Sequence, residues 1–257
     1  MELILAYHGI DSPVREKYRW VEYRDRKFDL TKLRVSPELF EEQLSYLKSH
    51  SYQTVSLDDL LECQRQGLSL PQKSFALTFD DGFKDFLTLA YPALKRCGFT
   101  ATIFLITNKV NESYQNKQFL SWEEICALKK EGFSFGAHTC SHPLLTSLSL
   151  EEARYEIEES KRIIEEKINS PVRFFSYPYG EFNSDIENLV RKAKFTGALV
   201  TPHGPGIESC PFSLKRVGVN SNNPMWVFKL KVKGAFGWVR DNSILWPIVN
   251  IIKRKSQ

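Results

Sequence analysis

The 257-residue sequence predicts an α/β fold in which parallel strands and crossover helices form one barrel. Short apolar strands alternate with amphipathic helices, and polar residues follow several different strands. An open doubly wound sheet would also fit the alternation, but its strand ends lie along a line, whereas those of a barrel converge on one face. No repeat, low-complexity segment or linker divides the chain. We therefore predict a single domain over residues 1–257, with a C-terminal helical extension at about 224–257.

The elements of the first half are predicted from apolar patterns and from helix caps. Ser36 and Ser56 are placed as N-caps, and Gly67 follows the second helix as a C-terminal glycine. The predicted order is strand Leu3–Tyr7, a long loop over 11–33, a helix from Pro37, a helix from Leu57, strand Ser74–Phe79, a helix over 86–97 and a strand over 100–106.

The second half contains two capping-box sequences, Ser121 with Glu124 and Ser149 with Glu152. The second box begins the longest helix, which we predict to direct Leu150, Ala153, Ile157, Ile164 and Ile168 inward. The predicted order is a helix from Trp122, a strand over 133–137, the long helix, a strand over 172–177, a helix over 184–194, strands over 197–201 and 214–219, and helical residues from Trp226 onward.

Composition excludes several classes of protein. The chain has 35 basic and 31 acidic residues, a net charge of +4, which is too balanced for a nucleic-acid-binding protein. Its five cysteines form no CxxC pair and fit free thiols. No signal peptide or transmembrane segment is recognisable, so we expect a cytoplasmic location. Apolar residues 244–252 precede Lys253 and Arg254; we expect them to cover the barrel, with contact to a membrane surface as the alternative.

Asp80 and Asp81 form the first candidate functional cluster, at the end of a predicted strand. Adjacent carboxylates there point in different directions, so one can bind a metal ion while the other acts as a base. The sequence around them also suits a simple turn, because Asp81-Gly82 is a common turn pair.

His138 and His142 form the second cluster, directly after another predicted strand. Histidines at i and i+4 can bind one cation from a helical turn or a compact loop. Cys140 lies between them, and we interpret it as a packing residue, because in a helical segment it would project away from the shared face. The third cluster ends in Pro178-Tyr179-Gly180, a turn that can direct a backbone N–H toward a site, with Tyr179 as one wall.

In this order, the three clusters closely resemble the motifs of the polysaccharide deacetylase family with the NodB homology domain, carbohydrate esterase family 4. Thr78-Phe79-Asp80-Asp81-Gly82 matches T-F-D-D-G, and His138-Thr139-Cys140-Ser141-His142-Pro143 matches H-[ST]-x-x-H-P. The third match ends in P-Y-G. The resemblance covers about residues 3–219, and residues 5–8 and 214–217 are similar to the bacterial branch concerned with exopolysaccharide and the cell envelope.

The resemblance implies a distorted (β/α) barrel of about seven strands and a reaction that removes acetyl groups from carbohydrate. It implies that Asp81, His138 and His142 bind one divalent cation and that Asp80 is the general base. The backbone N–H of Tyr179 would help to hold the oxyanion. Zinc is the expected ion, while cobalt, nickel and manganese are also compatible with these ligands.

Two departures from the family pattern concern the residues around Asp80. Ser176 stands where many relatives have an arginine that steadies the aspartate, and Arg216 could supply that charge from the last strand or could be a surface residue. We assign Arg216, with Tyr179, to the substrate side of the site. The family's late Leu-x-His motif is absent, so we place His8 as the acid, with His203 as the alternative.

The favoured function is therefore metal-dependent hydrolysis of acetyl groups, preferably N-acetyl, from an amino-sugar polysaccharide or its precursor. An O-acetyl esterase or a small-amide amidase could use the same residues. The departures at Ser176 and in the late motif also leave open a carbohydrate-binding homologue without activity.

Overall fold

The computed structural model describes residues 3–11, 20–23, 26–29, 33–114, 117–201 and 210–235. Within these ranges the chain forms a mixed α/β fold whose main sheet is a nearly closed barrel of eight parallel strands. The predicted barrel is confirmed. The strands are β1 (Leu3–Tyr7), β2 (Trp20–Tyr23), β3 (Arg26–Asp29), β4 (Gln53–Thr54), β5 (Ser74–Phe79), β6 (Thr102–Leu105), β7 (Ser113–Tyr114), β8 (Lys117–Gln118), β9 (Ser134–Ala137), β10 (Phe174–Ser176), β11 (Gly197–Val200), β12 (Leu214–Lys215) and β13 (Val217–Gly218).

Around the barrel the strand order is β12-β11-β10-β9-β6-β5-β1-β13, and the short β4 pairs with β5 outside this path. All neighbouring strands run parallel. All five residues of β1 are buried, as expected for a strand of a parallel sheet that is covered on both faces. The carboxyl ends of all the strands therefore lie at one face of the barrel. The predicted site residues come after these strand ends and so lie at the same face.

The segment over 214–219 was predicted as one strand, and this prediction is wrong because the segment forms two strands with different partners. Its first half, β12, pairs with β11, whereas its second half, β13, pairs with β1. Between the halves, the N–H of Arg216 donates to the carbonyl of Val200 at 2.8 Å. The chain thus passes from one edge of the sheet to the other at Arg216, and hydrophobic alternation alone does not reveal such a change of partner.

The helices begin and end close to their predicted positions. They are α1 (Pro37–Ser49), α2 (Leu57–Gln66), α3 (Tyr91–Cys97), α4 (Trp122–Lys130), α5 (Leu150–Ile168), α6 (Ser184–Lys192) and α7 (Met225–Val232). Side chains of Ser36 and Ser56 cap α1 and α2, and both predicted capping boxes are present. A π-helical turn over Phe86–Ala90 precedes α3, so the helix predicted over 86–97 is a composite.

Two predictions about individual segments are wrong. Leu150 is 55% exposed, because it is the first residue of α5 and lies beyond the edge of the core that buries Ala153 and Ile157. Residues 11–33 are not all loop, because β2 and β3 form an antiparallel hairpin within them. Alternation over only four residues is too short a signal to predict such a hairpin.

Alternate strand residues fill the interior of the barrel and meet α2. Ile4, Ala76, Phe104, Leu199 and Leu214 form one buried cluster with leucines of α2. Phe174 also belongs to this cluster, and most other apolar strand residues belong to a larger cluster that includes buried residues of the other helices. None of the described helices is long and apolar enough to cross a bilayer. The apolar segment over 244–252 and the basic residues after it lie outside the described residues.

Candidate metal and catalytic site

The carboxyl ends of four strands bring the predicted site residues together. His8 follows β1, Asp80 and Asp81 follow β5, and His138 follows β9. Tyr179 follows β10 by three residues, in a short 3₁₀ turn over Pro178–Gly180. The sequence favoured a barrel over an open sheet because only a barrel brings the ends of all these strands to one face, and the site residues do converge there.

The two adjacent aspartates separate because the backbone reverses between them. Asp80 continues the strand, with its N–H bonded to the carbonyl of Tyr7 at 3.0 Å. Asp81 and Gly82 have φ values of 74° and 76°, in the left-handed region. Glycine suits position 82 because a φ of 76° strains residues with a Cβ, and an added Cβ would also lie 2.8 Å from a side-chain carbon of Leu105. Asp80 consequently points into the barrel, and Asp81 points toward the histidines.

Asp81, His138 and His142 form a three-ligand cluster. One carboxylate oxygen of Asp81 lies 3.7 Å from Nε2 of His138 and 3.8 Å from Nε2 of His142. The three ligand atoms all lie within 4.8 Å of one another. Tetrahedral ligands with bonds of 2.0–2.1 Å are about 3.3 Å apart. Small side-chain adjustments would therefore allow all three atoms to contact one ion.

The environment of His138 suits a metal ligand. Its Nδ1 lies 2.7 Å from the backbone carbonyl of Ser176, a contact in which the ring nitrogen donates. That bond leaves the lone pair of Nε2 directed at Asp81. Burial lowers the pKa of His138 to about 3, so the ring is neutral at physiological pH. Burial also lowers the pKa of His142 and raises that of Asp81.

The segment from His138 to His142 is a compact loop and not a helical turn. Thr139 and His142 have φ values of 66° and 65°. The hydroxyl of Thr139 accepts the N–H of His142 at 2.9 Å and so closes the loop. Cys140 is buried, its sulfur lies 3.7 Å from the carbonyl of Glu156, and burial raises its pKa to about 11. These contacts agree with our interpretation of Cys140 as a packing residue.

Arg216 binds Asp80 with both ends of its guanidinium group. Its two terminal nitrogens donate to the two carboxylate oxygens at 2.7 and 2.6 Å, and one of them also donates to the hydroxyl of Ser176 at 2.9 Å. Burial by itself would raise the pKa of Asp80, but the charge of Arg216, with His138 and His8, holds that pKa well below its ordinary value. Arg216 thus supplies the positive charge that an arginine at the position of Ser176 supplies in many relatives.

This geometry corrects the assignment of Arg216 to the substrate side of the site. Arg216 is 2% exposed and lies in the barrel interior, 5.7 Å from the ring centroid of Phe104. Its contacts are those of a residue that orients Asp80. Sequence reasoning left a surface position equally open, and the structure excludes it.

His8 lies beside the same carboxylate, with Nε2 4.0 Å from an oxygen of Asp80. Its buried Nδ1 has no hydrogen-bond partner among the described residues. The alternative acid, His203, lies outside the described residues. Tyr179 lies beside His142, with the two ring centroids 4.8 Å apart and a φ of 60° at Tyr179. Tyr179 therefore forms a wall of the site beside the histidines.

Sequence reasoning missed one residue that contacts the site, Glu156 of α5. Its carboxylate accepts hydrogen bonds from the loop between His138 and His142. Glu156 is one of many glutamates on a long charged helix, so no local signal marks it.

Comparison with known proteins gives a consistent result. The family model described as "Polysaccharide deacetylase" matches residues 67–198. YxkH of Bacillus subtilis, a proposed polysaccharide deacetylase, is 29% identical over 84% of this chain and 71% of its own length. A poly-beta-1,6-N-acetyl-D-glucosamine N-deacetylase of Staphylococcus aureus is 29% identical over 62% of this chain, which covers only 58% of that enzyme.

A solved structure agrees with the sequence comparisons. The Streptococcus pyogenes deacetylase PplD, in complex with acetate, is 25% identical and superimposes with a TM-score of 0.77. The match covers 90% of this chain and 97% of that one, so the similarity extends well beyond the segment matched by the family model.

Proposed function

The chain belongs to the polysaccharide deacetylase family, and from that premise we propose that it is a metal-dependent enzyme that removes N-acetyl groups from an amino-sugar glycan or its precursor. The observation that carries the proposal is the cluster of Asp81, His138 and His142 beside the ionised Asp80. The preference for N-acetyl groups is supported by the Staphylococcus aureus relative, which is a poly-beta-1,6-N-acetyl-D-glucosamine N-deacetylase.

Asp81, His138 and His142 would hold the cation, and two histidines with one carboxylate suit zinc. When bound, the ion supplies a polarised acetyl carbonyl and a water far more acidic than bulk water. An acidic water matters here, because Arg216 makes Asp80 a weak base. The same pairing keeps Asp80 ionised and oriented, so it is ready to accept a proton at neutral pH.

The remaining roles follow from position. His8 lies next to Asp80 and is the candidate to protonate the departing sugar amine. The backbone N–H of Tyr179 is the candidate donor to the oxyanion, since the turn at Pro178–Gly180 lies beside His142. We expect the acetylated sugar residues of the substrate to bind the surface around these side chains.

The direct test is acetate release from N-acetylglucosamine oligomers by purified protein with added zinc or cobalt. We expect Asp80→Asn to reduce kcat by about 100- to 10,000-fold, the range for loss of a general base, while zinc affinity is retained. Lys48→Gln, an exposed change on α1, is the control and should leave kcat unchanged. Release of acetate at the same rate by Asp80→Asn would exclude Asp80 as the base.

The alternatives are separated by the choice of substrate in the same assay. Comparison of matched amide and ester substrates distinguishes an N-deacetylase from an O-acetyl esterase, and comparison of acetylated sugars with small non-sugar amides distinguishes it from a small-amide amidase. A homologue that binds glycan without activity would release no acetate from any acetylated sugar. That alternative was motivated by Ser176 and by the absent late motif. The first ground loses support because Arg216 reaches the hydroxyl of Ser176 and both oxygens of Asp80.

A further inference from the structure

Glu156 connects the long helix α5 to the loop between the two histidines. One of its carboxylate oxygens accepts the N–H groups of Cys140 and Ser141 at 2.8 and 2.9 Å. The other accepts the hydroxyl of Ser141 at 2.6 Å. One carboxylate therefore makes three charge-assisted hydrogen bonds to two consecutive residues of a five-residue loop.

This loop needs external support because its backbone is unfavourable. Thr139 and His142 are not glycines, and both have a positive φ. Residues in such conformations persist where surrounding contacts hold them. Two successive N–H groups that converge on one anion form a backbone nest, and Glu156 supplies the anion.

The helix that carries Glu156 is a firm support. A capping box at Ser149 begins α5, which continues for 19 residues. Ile157, the next residue after Glu156, is fully buried in the main apolar cluster. The backbone of Glu156 is therefore held by a helix that is anchored in the core on both sides of the contact with the loop.

We propose that Glu156 is a positioning residue that holds the loop so that the Nε2 atoms of His138 and His142 face Asp81 before a cation binds. The proposal rests on the proposed function only for the identity of the site as a metal centre. Glu156 bonds Cys140 and Ser141, two of the three residues between the histidines, and no ligand atom of the cluster, so it acts through the loop.

The test measures zinc affinity of the metal-free protein by competition with a fluorescent chelator, together with its free energy of unfolding. For Glu156→Ala we expect affinity to fall by about 10- to 100-fold, the range for loss of a residue that orients a metal ligand. Glu158→Ala is the matched control, because Glu158 is an exposed glutamate on the same helix, and its affinity should be unchanged.

Two further variants separate position from charge. Glu156→Gln is neutral but has the same length, so its oxygen can accept both N–H groups and its amide can donate to Ser141; we expect affinity within about threefold of wild type. Glu156→Asp keeps the charge but is one methylene shorter, and we expect a loss close to that of alanine. The opposite ranking, with Asp retained and Gln lost, would overturn the positioning role.

Folding and function are kept separate in this design. If Glu156→Ala does not fold, the ranking of Gln and Asp decides the question. Wild-type affinity in a folded Glu156→Ala variant would also overturn the proposal. Because the assay contains no glycan, a protein that binds zinc through this loop but releases no acetate would contradict the proposed function and leave the role of Glu156 intact.

Discussion

At the scale of single residues, the pair of Asp80 and Arg216 combines two tasks that the sequence presents separately. The motif around Asp80 predicts a reactive carboxylate, and Arg216 lies 136 residues later with no motif of its own. The planar guanidinium group contacts both oxygens of Asp80, which fixes the orientation of the carboxylate as well as its charge. Because Ser176 stands where relatives have an arginine, the sequence suggested Arg216 as a partner of Asp80. Only the three-dimensional arrangement shows that Arg216 contacts Asp80 and does not lie at the surface.

Replacement of Arg216 should affect stability in a pH-dependent way. In wild type the folded pKa of Asp80 is lowered, so its stabilising contribution is full above the ordinary pKa of about 4 and is lost as the pH falls below it. In Arg216→Met, burial would instead raise that pKa. We therefore expect the difference in unfolding free energy between wild type and Arg216→Met to grow from pH 4 to pH 7 and to reach about 3–5 kcal/mol.

Urea unfolding at several pH values measures this difference. Arg191→Met is the control, because Arg191 forms an exposed pair with Glu187 that should contribute below about 1 kcal/mol at each pH. A difference for Arg216→Met that stays constant from pH 4 to pH 7 would contradict the depressed pKa of Asp80.

At the scale of elements, the strands position the site residues, and their close packing leaves little room for larger side chains. Gly136 of β9 lies between the ring of Phe104 and the backbone of β10. A Cβ at this position would be 2.4 Å from a ring carbon of Phe104 and 2.9 Å from the carbonyl oxygen of Phe174. The same ring of Phe104 lies against Arg216, so a displacement of this ring would reach the residue that orients Asp80.

We expect Gly136→Ala to lower the free energy of unfolding by about 3 kcal/mol, the upper end of the range for overpacked cores. Gly67→Ala is the comparison, since its added Cβ meets nothing within 4 Å and only the positive φ opposes it, at about 1 kcal/mol. Phe104→Leu should recover part of the loss in the double variant. Equal losses for the two glycines in urea titrations would show that β9 can shift to accept the methyl group.

Which elements could be predicted depended on whether their signals were local. The caps at Ser121 and Ser149 act within four residues, and they were predicted correctly. The break of the last strand at Arg216 and the hydrogen bonds of Glu156 depend on partners far away in sequence. Hydrophobic patterns cannot encode such contacts, so these features were missed or left open.

At the scale of the whole molecule, the candidate metal site joins residues of two strands and therefore couples ion binding to folding. Asp81 follows β5, and both histidines follow β9. A cation that contacts all three binds the folded barrel and not the unfolded chain, so it should stabilise the entire domain.

Zinc at 100 times its dissociation constant should add about 2.7 kcal/mol to the stability of the metal-free protein. For a chain of this length that corresponds to a rise in Tm of about 5–10 °C. Thermal unfolding followed by circular dichroism measures the rise, and a chelator should reverse it. His142→Ala should show almost no zinc-dependent change, and an equal rise in that variant would mean that the ion binds elsewhere.

The passage of the last strand from β11 to β1 also has a consequence for biosynthesis. Residues 3–7 leave the ribosome about 210 residues before their partner at Val217–Gly218. At synthesis rates of about 5–20 residues per second, β1 waits about 10–40 s with one edge unpaired. Arg216 emerges at the same late moment, 136 residues after Asp80, so Asp80 remains without its counter-ion for about 7–27 s. A nascent chain that stalls before this segment would expose an open strand edge, the feature by which aggregation and recognition by chaperones begin.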